Sequence, residues 1–446
     1  MSKVALHTLG CKLNFAETAT IARQFTDRGY DVVDFGSPAD VVVLNTCTVT
    51  EKADRECRQL VRRALRRSPG AYVIVTGCYA QLQPEQIGTI SGVDLVAGSK
   101  EKFSLFEYAT FEKSPKAVFH VSAIQESISV SMADSAGFGE RTRAFVKIQD
   151  GCDYQCSFCT IPLARGTSRS VSIQEVAARA REIAEKGYKE IVLTGVNVGD
   201  YETDGKDNLL DVITTLESID GIERIRISSI EPNLLKDELL ARWIESPKVC
   251  NHFHIPLQSG SDAVLKNMKR RYNTSWYAGR IAAIKASAPE AGIGADVIVG
   301  FPGETDSQFE ETYQFLVKQP LSYLHVFSYS ERPNTKAAVM DDKSNARQRA
   351  ERSERLRILS DKKRHSFHAG LIGTTVSVLF EAPIQDGIQS GLSREYARTY
   401  VRRGRSLENE VRTVRVTGVR DGACIAEIRE EEGKDRSDTV LGRVAV

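Results

Sequence analysis

Three cysteines within eight residues form the pattern in this chain that is best suited to chemistry. Cys152, Cys156 and Cys159 occur as GCDYQCSFC, with the spacing C-x3-C-x2-C. Three thiolates cannot close a four-thiolate site, so a [4Fe–4S] cluster held here keeps one iron open for a substrate or cofactor. A structural zinc site is the alternative, but it would need a fourth ligand, and this loop contains no histidine.

A second set of three cysteines follows short apolar runs. Cys11 follows VALHTLG, Cys47 follows VVVLNT, and Cys78 follows YVIVTG. Each run is typical of a buried parallel strand, and the carboxyl ends of such strands face one crevice. We predict that the three thiols converge on one metal centre; the alternative is that they are small buried apolar residues. The other cysteines have no partners at useful spacing and are interpreted as packing residues: Cys57, Cys250 and Cys424.

Composition limits the class of protein. The chain has 446 residues, 41% hydrophobic and 27% charged, which suits a globular protein of about two or three domains. The formal net charge is +1, so nucleic-acid binding would need local basic patches. There is no signal-peptide pattern and no apolar run of about 18 residues. The number of cysteines is odd, at nine, and the sequence shows no export signal, so we expect metal ligation in a reducing cytoplasm. Because no long apolar run occurs, we expect no membrane span.

Hydrophobic periodicity indicates the elements that position the cysteines. Residues 1–125 alternate strand and helix, which predicts a parallel-sheet α/β domain. Its predicted strands are Val4–Leu9, Val41–Asn45 and Tyr72–Thr76, and its predicted helices are Glu17–Arg28 and Glu51–Arg67. Residues 126–140 are polar and rich in glycine and serine, so we expect a linker there.

A second strand–helix series over residues 141–342 predicts a full or partial (β/α) barrel, whose active face is the carboxyl end of its strands. The predicted strands are Ala144–Ile148, Glu190–Leu193, Ile225–Ser228, His252–Ile255, Gly294–Ile298 and Tyr323–Phe327, with helices at Ile173–Lys186 and Asn208–Ser218. Residues 343–369 predict a charged, solvated connecting helix. Residues 370–446 predict a small antiparallel β-barrel, so the fold class is α/β with a third, all-β unit.

The segment GCDYQCSFC resembles the signature of the radical S-adenosylmethionine (SAM) superfamily. The resemblance implies that the open iron binds SAM, which an electron from the cluster cleaves to a 5′-deoxyadenosyl radical. The segments LTGVNVGD, SSIEP and VIVGFPGET are similar to SAM-binding segments of that superfamily. They imply SAM contacts from Thr194, Gly195, Asn197, Ser229, Glu231, Val299 and Gly300.

With Cys11, Cys47 and Cys78 included, nearly the whole chain resembles the radical SAM methylthiotransferases. The resemblance implies a second [4Fe–4S] cluster on these cysteines and a C-terminal RNA-binding TRAM barrel. The segments TLGCKLNFAET and NTCTVTEKADRE are most similar to the branch that modifies N6-threonylcarbamoyladenosine in tRNA. The isopentenyladenosine branch usually has glutamine and methionine after the first cysteine, and the branch that modifies a ribosomal-protein aspartate has a different run there.

The resemblance implies that the C2–H of the adenine beside the anticodon is replaced by C2–SCH3. Two SAM molecules and two [4Fe–4S] clusters would be used: one SAM methylates a sulfur on the auxiliary cluster, and the other yields the radical. The implied partners are the tRNA anticodon loop, a reductant such as flavodoxin or ferredoxin, and a sulfur donor. No catalytic residue is assigned beyond the cluster ligands.

Two basic segments are candidates for phosphate contact. Lys52–Arg67 is one, with a solvated helix face as its alternative interpretation. The other lies in the C-terminal barrel and gives the predicted RNA contacts Arg394, Arg398, Arg402, Arg403 and Arg405. Alternative functions stay open at this point: methylthiolation of isopentenyladenosine, methylthiolation of a ribosomal-protein aspartate, or a non-catalytic iron–sulfur or zinc module that binds RNA.

Overall fold

The N-terminal part of the chain forms a parallel sheet, as predicted. The structure is a computed structural model that describes residues 1–47, 51–124, 130–139, 142–203, 205–384 and 387–428. The first strands are β1 (Lys3–Thr8), β2 (Asp31–Val33), β3 (Val41–Thr46), β4 (Tyr72–Gly77), β5 (Leu95–Ala97) and β6 (Val118–His120). They pair in the order β2-β1-β3-β4-β5-β6, and every pair is parallel.

Helices cover both faces of this sheet, which is why β3 and β4 are continuous apolar runs with every residue buried. The helices are α1 (Lys12–Thr26), α2 (Glu51–Arg67), α3 (Cys78–Leu82), α4 (Pro84–Gly88) and α5 (Leu105–Tyr108). The first begins five residues before the predicted Glu17, because its buried face already includes Leu13 and Ala16.

The next part is a partial (β/α) barrel, as predicted. Its main strands are β8 (Arg143–Lys147), β11 (Glu190–Thr194), β14 (Arg224–Ile227), β15 (His252–His254), β16 (Gly292–Val299) and β17 (Tyr323–Ser328). Isolated bridges at Ile225–Val249 and Ser229–His254 join the sheet that ends at β14 to the sheet that begins at β15. Short strands complete this part: β7 (Ala133–Asp134), β9 (Gln149–Asp150), β10 (Arg169–Ser170), β12 (Glu202–Thr203) and β13 (Asp207–Asn208).

Alternate residues of the barrel strands face opposite environments. Ile191, Leu193, Ile225 and Ile227 join the hydrophobic core on the helix side, so their sequence neighbours face the lumen. The surrounding helices are α6 (Ile161–Arg165), α7 (Ile173–Glu185), α8 (Leu209–Glu217), α9 (Asp237–Glu245), α10 (Asp262–Asn267), α11 (Thr274–Ser287) and α12 (Asp306–Lys318). The polar residues Glu190, Arg224, Arg226, His254 and Asp296 lie on the lumen side.

The segment predicted to be a linker is partly structured. Ala133 and Asp134 form β7, are 1% exposed, and pair antiparallel with β8. The Asp134 carboxylate also accepts from Arg23 on α1 at 2.7 Å and from Arg179 on α7 at 2.6 Å. This segment therefore fastens the N-terminal unit to the barrel; its residues 126–129 and 140 lie outside the described residues.

The connecting helix α13 (Ala346–Gly370) is not solvated on all sides, contrary to the prediction. Leu356 and Leu359 are buried in the barrel core, and the Ser360 hydroxyl bonds to the backbone of Leu324 in β17. The many charged residues concealed this apolar face. Within the described residues no helix is long and apolar enough to cross a membrane.

The C-terminal unit is a closed five-stranded barrel. Its strands are β18 (Thr375–Phe380), β19 (Ile388–Ser393), β20 (Arg398–Arg402), β21 (Val411–Arg420) and β22 (Ala423–Ile428), and the order is β18-β19-β20-β22-β21. All pairs are antiparallel except β20 with β22, which is parallel.

The turn between β19 and β20, residues 393–397, enters the partial barrel at the amino ends of its strands. Arg226 donates to the carbonyl of Ser393 at 3.1 Å, and the Tyr396 ring stacks on His252 with centroids 4.2 Å apart. A side chain at Gly292 would place its Cβ 1.9 Å from the carbonyl oxygen of Glu395, so only glycine admits the turn. We call this segment the 393–397 turn.

Candidate active site

The C-x3-C-x2-C loop lies between β9 and α6, at the carboxyl end of β8. Backbone N–H groups of Tyr154 and Ile161 donate to the sulfurs of Cys152 and Cys159, both at 3.4 Å. Burial raises the pKa of Cys152 to about 11 and that of Cys159 to about 12, so both remain protonated at neutral pH until a metal displaces their protons. Three convergent thiols with N–H donors on their sulfurs fit a [4Fe–4S] cluster that has one open iron.

Arg270 also contacts this loop and was missed by the sequence analysis. Its Nη1 lies 3.0 Å from the Cys156 sulfur, and its Nη2 pairs with the Glu231 carboxylate. The residue lies beyond the end of α10 and has no motif of its own, so only the folded chain brings it to the thiols. A guanidinium here places positive charge beside the thiolates.

The second cysteine triad lies at one edge of the N-terminal sheet. Cys11, Cys47 and Cys78 follow β1, β3 and β4, which are adjacent strands. Gly10 has φ +110°, and a side chain there would place its Cβ 2.6 Å from the Cβ of Cys47. Asn14 donates to the carbonyls of Leu9 at 2.9 Å and Thr46 at 3.1 Å, so it ties two of the strand ends together. The donor set fits a second three-thiolate cluster.

A buried charged network joins the two triads. Helix α3, which begins at Cys78, packs against α6, which begins two residues after Cys159. Arg165 on α6 donates to Glu17 at 2.9 Å and to Asn14 at 2.7 Å, both on α1. Burial alone would raise the pKa of Glu17, but Arg165 and two lysines hold it well below its usual range. These lysines, Lys102 and Lys147, lie 2.7 and 3.3 Å from its carboxylate.

Three of the predicted SAM contacts, Thr194, Gly195 and Asn197, lie together at the carboxyl end of β11. Thr194 Oγ1 and Asn197 Oδ1 are buried and have no hydrogen-bond partner among the described residues. The Asn197 N–H donates to Gln149 Oε1 at 2.9 Å, and Gly195 leaves room for the same side chain. Buried unpaired polar atoms are costly, so this corner is built to meet a polar ligand. Gln149 had no sequence signal.

The other predicted SAM contacts are dispersed. The backbone of Ser229 forms an isolated β-bridge with that of His254, and the Glu231 carboxylate forms an ion pair with Arg270. The Val299 side chain is fully buried on the helix side of β16, and the Gly300 N–H donates to Glu304 at 2.6 Å. The Val299 side chain therefore does not face the lumen.

A cavity of about 220 Å³ adjoins the cysteine loop instead. Its walls include Phe158, Cys159, Asp296, Ile298 and Phe327. The alternation of β16 could have indicated Ile298, which directly precedes Val299 and faces the lumen, and Phe327 is the partner of Ile298 on β17. An apolar wall beside the thiols excludes water from the radical chemistry implied by the cysteine pattern.

The predicted RNA-contacting arginines divide into two groups. Arg394 donates to the carbonyls of Pro247 and Val249 in the barrel, the latter at 2.6 Å, and so it fastens the 393–397 turn. Arg398 pairs with Glu381 and Arg405 pairs with Glu410. The exposed Arg402 and half-buried Arg403 have no ion pair within the described part of the chain.

Comparison with known proteins follows the same division of the chain. The Radical SAM superfamily profile matches residues 146–316, and that of Uncharacterized protein family UPF0004 matches residues 3–98. The solved radical S-adenosylmethionine methyltransferase TsrM from Kitasatospora setae has a similar fold, with a TM-score of 0.54, 14% identity and coverage of 76% of this chain and 75% of that chain. Fold and cysteine loop together define a radical SAM enzyme, whose cofactors are SAM and a [4Fe–4S] cluster.

Curated relatives identify the family to which this chain belongs among the radical SAM enzymes. The chain is 41% identical over 90% of both chains to "Threonylcarbamoyladenosine tRNA methylthiotransferase MtaB" of Bacillus subtilis. It is 42% identical to the Aquifex aeolicus protein of that name, over 82% of this chain and 90% of the other. It is 32% identical to "tRNA-2-methylthio-N(6)-dimethylallyladenosine synthase" of Geobacter metallireducens, over 86% and 88%. The chain belongs to the radical SAM tRNA methylthiotransferase family.

Proposed function

We propose that this protein methylthiolates C2 of N6-threonylcarbamoyladenosine beside the anticodon in tRNA, with two SAM molecules and two [4Fe–4S] clusters. The observation that carries the proposal is the pair of cysteine triads, which lie at strand ends joined by the α3–α6 contact. The relatives named for threonylcarbamoyladenosine are more similar to this chain than the dimethylallyladenosine enzyme that we compared.

In this proposal Cys152, Cys156 and Cys159 hold the cluster that binds SAM, and the other triad holds the auxiliary cluster. When bound, the clusters and SAM would supply the radical and the sulfur. The radical is required because the adenine C2–H is neither acidic nor electrophilic. The orphan oxygens of Thr194 and Asn197 orient the polar end of SAM. The apolar cavity wall excludes water from the reacting atoms.

The remaining assignments follow from the same proposal. Residues 1–125 carry the auxiliary cluster, 141–342 form the radical SAM barrel, and 370–446 form a TRAM-like RNA-binding barrel, with 126–140 and 343–369 connecting them. The basic face of α2 and the arginines at the end of β20 would contact tRNA phosphates. The reaction would also need a reductant such as flavodoxin or ferredoxin and a sulfur donor, and it would take place in the cytoplasm.

Nucleoside mass spectrometry of tRNA from cells that lack this protein tests the proposed function. We expect 2-methylthio-N6-threonylcarbamoyladenosine to disappear while its precursor N6-threonylcarbamoyladenosine accumulates. Loss of the isopentenyl analogue instead would transfer the protein to the second branch. Unchanged tRNA modification would contradict both assignments.

A further inference from the structure

Two segments of the barrel, residues 266–271 and 336–339, hold the C-x3-C-x2-C loop in place. The Ser157 N–H donates to the carbonyl of Met268 at 3.1 Å, and the Ala337 N–H donates to the carbonyl of Ser157 at 2.8 Å. The side chains of Met268 and Ala337 are fully buried in one small hydrophobic cluster. Both segments are therefore fixed against the loop that carries the three thiols.

The loop has two faces with different surroundings. Phe158 and Cys159 line the cavity of about 220 Å³. Cys156 and Ser157 contact the two segments instead, and the Cys156 sulfur accepts from Arg270 at 3.0 Å. A molecule that binds to these segments would lie one hydrogen bond from a cluster ligand, while the cavity stays open to SAM and substrate.

Four exposed cations lie on the two segments. They are Lys266, Lys269, Arg271 and Lys336, and we call them the basic patch. Within the described part of the chain, none of them forms an ion pair with a carboxylate. The Arg271 guanidinium stacks on the ring of Tyr154, a residue of the cysteine loop, at 3.8 Å. The basic patch is thus attached to the loop, and its positive charges are not neutralised by ion pairs.

The basic patch brings like charges close together. Contact with the Lys336 side chain lowers the pKa of Lys269. Two carboxylates that neighbour the patch in sequence, Asp153 and Asp262, accept from backbone N–H groups at 3.0 and 2.7 Å. Uncompensated charge of one sign creates a local potential that attracts a partner of the opposite sign.

We propose that the basic patch docks a small acidic electron-transfer protein, which reduces the cluster on Cys152, Cys156 and Cys159. This inference deepens the proposed function, because it names where the required reductant binds. One electron leaves the reduced cofactor of the partner and enters the cluster, so no atom or proton passes between the proteins. Transfer through this face of the loop leaves the lumen free for SAM and the target base.

An exposed apolar side chain beside the basic patch favours a protein partner over RNA. Val339 is 86% exposed and follows Lys336 by one turn of a 3-10 helix, so the two side chains share a face. A protein interface surrounds such a side chain with a polar rim, whereas RNA phosphates offer it no apolar contact. A few charges around a small apolar centre suit a transient redox complex, in which complementary charge mainly speeds association.

Binding of oxidised flavodoxin to the cluster-loaded enzyme tests the docking surface without turnover. We expect Lys269→Glu with Lys336→Glu to raise Kd about tenfold at low salt, and this difference should shrink as salt screens the charges. The matched control is Lys186→Glu with Lys318→Glu, which makes the same charge change at two exposed lysines. These lie at the carboxyl ends of α7 and α12, and therefore at the end of the barrel opposite the cysteine loop. The control should keep the wild-type Kd.

The rate of SAM cleavage gives a second measurement. We compare 5′-deoxyadenosine formation driven by subsaturating reduced flavodoxin with that driven by dithionite, because their ratio cancels differences in folding and cluster loading. This ratio should fall about tenfold in the patch variant and stay at the wild-type value in the control.

Three results would overturn the inference. They are an unchanged flavodoxin Kd in the patch variant, an equal rise in both double variants, and a weakened tRNA affinity with an unchanged flavodoxin Kd, which would assign the patch to RNA. Neither measurement uses tRNA. The proposed function can therefore fail in the nucleoside analysis while the docking surface is confirmed, and the reverse outcome is equally distinguishable.

Discussion

At the residue scale, Arg270 has an electronic role that its position in the sequence does not indicate. It donates to the Cys156 sulfur at 3.0 Å and pairs with Glu231. A donor on a cluster thiolate stabilises the reduced, more negative state of the cluster, because the extra electron density lies partly on sulfur. Arg270 is thus a positioning residue that acts through a ligand.

Arg270→Met is expected to lower the midpoint potential of the cluster on Cys152, Cys156 and Cys159, roughly by tens of millivolts. A redox titration followed by electron paramagnetic resonance measures the shift. Arg271→Met is the matched control, because that guanidinium stacks on the Tyr154 ring at 3.8 Å and, among the described residues, donates to the carbonyl oxygen of Asp153 and to no cysteine sulfur. Equal shifts in the two variants would assign the effect to charge alone, not to the bond with sulfur.

Glu190 illustrates how the lumen depends on ionised groups. Its fully buried carboxylate lies 2.8 Å from Arg226 and 2.9 Å from Arg224. Burial alone would raise its pKa, but the two arginines lower the pKa to about 2. A carboxylate that binds its proton less tightly when folded stabilises the fold above its unfolded pKa, and the stabilisation is lost as pH falls towards the folded pKa.

The wild type should therefore lose roughly 2 kcal/mol of this contribution between about pH 5 and pH 3, and Glu190→Gln should show a flatter dependence. Urea unfolding followed by tryptophan fluorescence measures the difference, because Trp243 is fully buried in the barrel and becomes exposed on unfolding, whereas Trp276 is already half exposed. Glu408→Gln, at an exposed site of the C-terminal barrel, should retain the wild-type pH dependence. Parallel pH profiles for the wild type and Glu190→Gln would contradict this account.

At the scale of the elements, the C-terminal barrel presents two surfaces with different tasks. The 393–397 turn and Arg394 face the partial barrel and are bonded to its backbone. Arg402 and Arg403, at the end of β20, stand away from that interface and lack ion pairs within the described residues. The same run of arginines in the sequence therefore serves docking at one end and is available to phosphates at the other.

The double variant Arg402→Glu with Arg403→Glu should weaken tRNA binding and reduce the slope of log K against log salt by about 1 for each phosphate that the variant no longer neutralises. Binding isotherms at several salt concentrations measure the slope. Arg394→Ala, which removes bonds to Pro247 and Val249, should lower thermal stability and leave the salt slope unchanged. A reduced slope in Arg394→Ala would place that residue on the RNA instead.

At the scale of the whole molecule, the two triads define how much metal the protein should hold. A fully loaded chain should contain about eight iron and eight sulfide ions, and Cys78→Ala or Cys156→Ala should each reduce both to about four. Colorimetric iron and sulfide analysis of anaerobically reconstituted protein measures this, with Cys424→Ala as the control. A wild-type content of about four of each ion would remove the auxiliary cluster and with it the proposed source of sulfur.

Much of this arrangement could be predicted from sequence because local patterns determine it. Continuous apolar runs specify β3 and β4, and the cysteines that follow them specify where the thiols lie. The hydrogen-bonded group of His254, Asp296 and His325 could not be predicted, because these residues come from three strands separated by helices. Only the pairing of β15, β16 and β17 brings them together. The docking role of Arg394 likewise depends on a partner surface about 145 residues away in the chain.

The 393–397 turn fixes the orientation of the C-terminal barrel relative to the partial barrel. Gly292 admits the Glu395 carbonyl so closely that any larger residue would displace the turn, and Arg226 bonds its backbone. The C-terminal barrel is therefore keyed to the partial barrel and cannot pivot freely on the connecting helix. If tRNA binds through Arg402 and Arg403, the fixed orientation of the two barrels sets the distance between this RNA contact and the cysteine loop. In the proposed function, only a nucleotide at a fixed distance from Arg402 and Arg403 would reach the cysteine end of the lumen.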